Sequence, residues 1–308
     1  MKTKKLVSGI TALALGILSF TACNNEDTPT PSVSNEYVTI EPSVSGEVIT
    51  KAGGSYGQTG DKLYLYYNTA GNTTTAQYAD FRYDGTIWDL GANKMKWSTL
   101  HNATTSNTIS FYATTPALAS TSAAVKTDQS TASGYKSSDL LVAYKGIAKA
   151  ASETKYTALS IDLKHALAKL TIEVNAKAIE NAIINSVMVK DVVADYSVTY
   201  NASEDTPATT TVSGDNKADI KPLVNGNLFN AVLPAQTIQK TDGITIVITV
   251  NNQTYTYAPT QAVNLLQGKN TTLKLRLAGT GVILGDVTIS DWGNGDTTKD
   301  NIEADPVV

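Results

Sequence analysis

Gly53-Gly54-Ser55-Tyr56-Gly57 matches the G-x-S-x-G pattern of a nucleophile elbow, and His165 and Asp162 complete a Ser-His-Asp set on paper. The chemistry would be acyl transfer. An elbow needs a sharp strand-to-helix turn that lifts the serine hydroxyl, and here a strand-like run follows instead. These glycines read as a flexible joint. The chain has two histidines, His101 and His165, and one cysteine. No H-E-x-x-H and no His/Cys cluster is present, which argues against a catalytic zinc. Gly279-Thr280-Gly281 with Gly285 lacks the following helix that a phosphate would need. Asp291, Asn294, Asp296 and Asp300 lack the dense spacing and late bidentate Glu of a calcium loop. Glycosidase carboxylates can come from anywhere in a fold, but no pair stands apart from the surface acids. No cofactor, no metal and no catalysis are expected.

Cys23 carries a different chemistry. Lys2, Lys4 and Lys5 precede an apolar run from Leu6 to Phe20, and Thr21-Ala22-Cys23 follows. A basic start, a short apolar stretch and small residues at its end form a secretory signal, here residues 1–22. The run is too short for a comfortable membrane span. Phe20-Thr21-Ala22-Cys23 resembles a lipobox, with Phe where Leu is usual. The Cys23 thiol is therefore expected to carry a diacylglycerol thioether, each buried methylene adding about 0.8 kcal/mol of membrane affinity. Residues 23–35 are polar and proline-bearing and form a tether. Glu26 and Asp27 within it resemble the surface-export signal of Bacteroides-type lipoproteins.

Removing the signal deletes three lysines and no acid, so the net charge of −4 becomes more negative. That disfavours nucleic acid and anionic membrane surfaces as partners. With no second cysteine, stability must come from burial. Fifteen Tyr against four Phe fits wide, wet β-surfaces.

From Glu36 onward the periodicity is that of strands. Runs are expected at Tyr37–Ile40, Glu47–Thr50, Lys62–Tyr67, Thr108–Ala113, Leu140–Ala143, Leu170–Val174, Ser186–Lys190, Asn270–Leu277 and Val287–Ser290. Ile244–Val250 and Gln253–Tyr257 flank an Asn-Asn turn and read as a hairpin. Only Tyr156–Leu170 and Asn175–Ile184 have helical character. Residues 120–138 and 201–218 read as exposed loops. No exact internal repeat is visible. The pattern implies an all-β sandwich architecture, doubled, with domains at 36–160 and 161–308.

Several segments resemble the fimbrillin family of Bacteroides-type bacteria. His165-Ala166-Leu167-Ala168-Lys169-Leu170 is similar to its His-x-Leu-Ala-Lys-Leu segment, and Leu233-Pro234-Ala235-Gln236-Thr237 to its Leu-Pro-x-Gln-Thr stretch. Leu265–Asn270, Val287–Trp292 and Thr50–Gly54 are similar to three further family segments, in family order. The resemblance implies two tandem transthyretin-like β-sandwich domains behind the lipoprotein signal peptide. It implies a subunit of a cell-surface pilus (fimbrium) that serves adhesion, delivered to the outer membrane by the lipid on Cys23, with other pilin subunits as partners. It also implies cleavage by a trypsin-like protease, here between Lys51 and Ala52, where the family often has Arg. The strand removed would span residues 36–51, with Val38, Ile40, Val48 and Ile49 filling core sockets. The vacated groove would accept a strand from the next subunit by β-augmentation. Ile302–Val308 is the C-terminal candidate donor, although Pro306 lacks a ladder N–H. Two alternatives remain: a surface glycan-binding lipoprotein using Trp88, Trp97 and Tyr83, and a hydrolase using Ser55 or paired carboxylates.

Overall fold

Alternating apolar and polar residues set most of this chain as strands, because successive side chains on extended backbone point to opposite faces. The structure is a computed structural model and describes residues 36–44, 57–68, 78–117, 121–279 and 281–292. The first half contains β1 (Ile40–Val44), β2 (Lys62–Asn68), β3 (Tyr78–Tyr83), β4 (Trp88–Leu90), α1 (Trp97–Ala103), β5 (Thr108–Thr115), β6 (Ser122–Ala124), α2 (Ala132–Ser138), β7 (Leu141–Ala148) and β8 (Leu159–His165). Among the described residues, seven strands join in the order β1-β8-β7-β5-β2-β3-β4. Every neighbouring pair is antiparallel except β1 and β8, which run parallel. Leu63, Leu65 and Tyr67 of β2 and Ile109, Phe111 and Ala113 of β5 point into one apolar core, and Trp97 and Leu100 of α1 close it.

The second half contains β9 (Ala168–Asn175), β10 (Ile184–Val193), β11 (Asp195–Tyr200), β12 (Ala208–Val212), β13 (Lys217–Ile220), β14 (Leu223–Asn225), β15 (Leu228–Leu233), β16 (Thr237–Ile238), β17 (Thr245–Val250), β18 (Gln253–Tyr257), β19 (Val263–Asn264), β20 (Lys269–Ala278) and β21 (Gly281–Asp291). A sheet ordered β14-β15-β9-β20-β21 and another ordered β13-β10-β17-β18 share a second core. The all-β architecture expected from the sequence is the one found. The 160/161 division falls inside β8, whose Leu159, Ile161 and Leu163 all serve the first core. Ala166, Leu167 and Ala168 serve the second, so the chain changes core within three residues of Leu163. β7 serves both: Leu141 and Ala143 face one core, and Val142, with Leu140 just before the strand, faces the other.

The Asn-Asn hairpin is present. Asn251 and Asn252 both have positive φ, 49° and 65°, the left-handed conformation that a two-residue primed turn requires. The helical reading of Tyr156–Leu170 is overturned. Leu159, Ile161, Leu163 and His165 are buried in strict alternation, and this period of two prevails over the i, i+4 spacing of the leucines. Residues 120–138 are not simply a loop. Gln129 is wholly buried, donates from Nε2 to Val232 O at 2.9 Å and accepts Val232 N–H at 2.8 Å. It thereby continues the β15 ladder with a side-chain amide. Thr131 then caps α2 by accepting Gly134 N–H at 3.1 Å.

A third sheet, β12-β11-β6, lies against both halves. Tyr200 of β11 meets Tyr112 of β5 edge-on at 5.4 Å, and Tyr112 lies 5.1 Å from Tyr144 of β7. Lys145 pairs with Glu204 at 3.1 Å across the same seam. Burial raises the Tyr196 phenol to about 12, with the Asp139 charge adding to it. Burial likewise raises Tyr200, with Tyr66 and then Tyr196 adding to it. Both phenols stay neutral in the fold where an unfolded tyrosine, with pKa about 10, already ionises. The stability they confer is complete below about pH 10 and is lost as pH rises towards about 12. Melting temperatures from pH 9 to 12, followed with phenolate absorbance, should fall over that window, and Tyr200→Phe should flatten the decline.

Candidate functional site

Val38-Thr39-Ile40-Glu41-Pro42-Ser43-Val44 alternates in period two and places Val38, Ile40 and Val44 on one face. The structure buries these three at 0%, 6% and 5% exposure in the first core. β1 holds the end of the seven-stranded order, so its other edge has no strand partner among the described residues. Its register with β8 is parallel, Ile40 opposite Leu159 through Val44 opposite Leu163. Before the strand proper, Trp97 N–H donates to Glu36 O at 3.0 Å, Val38 N–H to Met95 O at 2.9 Å, and Leu159 N–H to Thr39 O at 2.9 Å. Pro42 sits in mid-strand and offers no N–H, which suits an edge and discourages further pairing.

The approach to this strand is electrostatic. Lys96 Nζ lies 2.6 Å from Glu36 Oε1, and Lys94 and Lys96 lie 5.6 and 5.4 Å from the Tyr37 ring centre. The hydrogen bond from Lys96 to Glu36 raises the ammonium pKa above its usual value. Both partners are about half exposed, so the pair orients the chain more than it stabilises it.

Withdrawing β1 would return three large apolar side chains to water, worth about 5–9 kcal/mol of burial. It would also strip the β8 backbone of its partner from Leu159 to Leu163. The arrangement is a plug: one short strand fills three sockets and one edge.

Val38 and Ile40 are thus placed together in this plug. Val48, Ile49, Lys51, Ala52 and Cys23 lie outside the described residues, as do Ser55 and Ile302–Val308. Val44, Pro42 and Lys96 are members that sequence reading missed. Continued alternation past Ile40 signals Val44, whereas nothing local marks Lys96.

The other candidates fall elsewhere. Trp97 is 1% exposed, stacked on Tyr156 at 4.3 Å and edge-on to Phe111 at 5.9 Å. It belongs to the core and presents no face to a sugar. Trp88 and Tyr83 are half-buried and lie 5.3 Å apart. His165 Nδ1 lies 2.8 Å from Asp139, and its ring stacks on Trp292 at 3.8 Å. The stack ties the end of β21 to the end of β8. Beside it is a cavity of about 410 Å³ lined by Lys164, Lys269, Gln267 and Trp292. Lys164 stands 4.0 Å from Asp205, Lys269 pairs with Asp291, and Gln267 is held by Thr210 and Ala208, so its polar groups serve the fold. Among the described residues, no group of three or more His, Cys, Asp or Glu gathers as a metal site. Gly279, at φ 57°, turns β20 into β21.

A family model described as fimbrillin-like matches residues 50–292. A crystal structure of a candidate cell adhesion protein from Bacteroides uniformis superposes with a TM-score of 0.60 at 16% identity, covering 84% of this chain and 99% of that one. One from Bacteroides ovatus, also described as a candidate cell adhesion protein, superposes with a TM-score of 0.58 at 16% identity, covering 83% and 98%. No curated protein sequence matches the chain.

The plug geometry separates burial from charge. Ile40→Ala should cost about 2–4 kcal/mol in denaturant unfolding. Lys96→Ala should leave the unfolding midpoint nearly unchanged, because the pair is open to solvent.

Proposed function

Since the chain belongs to the fimbrillin-like family, we propose that it is a structural subunit of a surface pilus, assembled by proteolysis-triggered strand exchange and serving adhesion. The observation that carries this is the edge segment 38–44, which buries Val38, Ile40 and Val44 and whose strand β1 has a strand partner on one side only among the described residues. Cleavage between Lys51 and Ala52 would sever β1 covalently from β2. β1 would then be held by its sockets and by one parallel ladder. Loss of β1 leaves apolar sockets and unpaired β8 backbone, both costly in water. A strand from another subunit satisfies both at once. Catalysis plays no part in this reading.

The two cores are taken as two sandwich domains, expected from the sequence at residues 36–160 and 161–308, with the change of core falling between Leu163 and Ala166. The precursor travels as a lipoprotein: residues 1–22 are removed, Cys23 carries the lipid, and residues 23–35 space the fold from the outer membrane. Cutting after Lys51 discards lipid and plug together, so the anchor marks delivery and persists only in subunits that escape cleavage.

Limited trypsin treatment of the full chain should nick after Lys51 and yield concentration-dependent polymers in mass photometry, while Lys51→Gln stays monomeric. A chain that is neither nicked there nor able to polymerise would rule out strand exchange. In cells fed labelled palmitate, Cys23→Ala should abolish incorporation, and retention of label would refute the anchor.

A further inference from the structure

The outer face of the first sheet carries four tyrosines in one row. Tyr144 of β7 stands opposite Tyr112 of β5, Tyr112 opposite Tyr66 of β2, and Tyr66 opposite Tyr78 of β3. Leu63, Leu65 and Tyr67 point the other way, into the core, so the row lies on the far side of the sheet from it. Tyr200 covers the row at Tyr112 and stands near enough to Tyr66 for that phenol to raise its own pKa. Beyond this cover the row comes to the surface. Tyr78 is 43% exposed, Tyr64 and Tyr66 are half-buried, and the Tyr66 and Tyr78 rings lie 5.9 Å apart at 34°. Asn93 Nδ2 donates to the Tyr78 hydroxyl at 2.9 Å, which orients the ring and leaves its O–H to donate outward.

Positive charge lies beside these rings. On the same face, Lys62 of β2 stands directly opposite Arg82 of β3. Like charges so placed are unfavourable on a sheet, and they stand out in a chain of net charge −4. Asp89 of β4 stands on the other side of Arg82, yet among the described residues Arg82 makes no ion pair. Asp80 lies between the cations and the rings, opposite Tyr64, but its carboxylate is turned aside. Its Oδ1 accepts Asn93 N–H at 2.7 Å, and its Oδ2 fills the space that a side chain at Gly91 would need. An anion arriving at Arg82 therefore meets two cations and an occupied acid.

We propose that this face binds a short acidic oligosaccharide, with its carboxylate on Arg82 and its pyranose rings laid over Tyr64, Tyr66 and Tyr78. A pyranose has an apolar C–H face and a polar hydroxyl rim, which a tyrosine matches with an apolar ring and a wet hydroxyl. Such rings lose little conformational entropy on binding. The guanidinium fork takes a carboxylate through two parallel hydrogen bonds. Four residues separate Arg82 from Tyr78 along β3, about 14 Å, which asks for linked sugars instead of a single one. A single nucleic acid strand also stacks and carries charge, but it needs a track of cations where this acidic chain offers one pair. Trp88 packs against the first core and takes no part. As the target of adhesion this ligand rests on the reading above; as a binding site it needs no strand exchange.

The test titrates the full chain carrying Cys23→Ser with sialyllactose and trigalacturonate, and with lactose and maltotriose as neutral counterparts, by ligand-observed NMR. At least one acidic probe should bind about tenfold tighter than its counterpart at low salt, and the preference should shrink as salt screens the charge. Arg82→Ala should remove the preference and leave neutral binding where it was. Tyr78→Ala should weaken both kinds of probe by about tenfold, while Tyr78→Phe, which keeps the ring, should stay within about threefold of the parent. If Tyr78→Ala fails to fold, the Arg82→Ala and Tyr78→Phe chains still decide. The site is overturned if neither acidic probe binds at about 10 mM. It is equally overturned if the acid preference survives Arg82→Ala, if binding survives Tyr78→Ala, or if a short single-stranded DNA binds more tightly than either sugar. A chain that polymerises after nicking but binds no sugar would sink this site and leave strand exchange standing. A chain that binds the acidic probe through Arg82 and never polymerises would sustain the site and sink strand exchange.

Discussion

The parallel pairing of β1 with β8 is the constraint on which the first half depends. β8 meets β7 at only two register pairs, Leu141 with His165 and Val142 with Lys164. From Leu163 back to Leu159 its backbone is completed by β1 instead. A parallel pair needs a long crossover, and the strands it joins here are remote: Ser43 and Asp162, in contact, stand 119 residues apart. Remote pairs carry the largest loop-closure cost and nucleate folding least readily. The strand that seals the core is therefore held by tertiary contacts alone, with no local hairpin to restrain it.

The second constraint is that the two halves share walls. β7 feeds both cores from its two faces, and β8 hands the chain to β9 with only Ala166 and Leu167 between them. The tyrosine seam and the His165–Trp292 stack then hold β11 and β21 against elements of the first half. A change at one wall is felt in both cores, because close-packed interiors transmit displacement instead of absorbing it.

How much was legible follows from the range of the forces involved. The Ile244–Tyr257 hairpin was readable because its turn and its alternation are local. β8 was misread because Leu159, Leu163 and Leu167 also satisfy helical spacing, and only burial decides between the periods. The Gln129 insertion was hidden because its hydrogen bonds go to Val232, 103 residues away. At the plug, alternation revealed Val38 and Ile40. The run expected at Tyr37–Ile40 stops short of Pro42, and so Val44 lay outside it. Lys96 had no signal, since its partner Glu36 is 60 residues distant.

The direction of β1 bears on anything built upon its place. A strand from a different part of another copy that replaces it meets a surface unlike the one it came from. Contacts of that kind are heterologous: no two-fold axis relates the partners, and repetition gives an open thread instead of a closed ring. Such a thread is polar, with chemically unlike ends. A molecule that blocks one end would stop growth there and leave the other untouched, so length could be set by a cap alone.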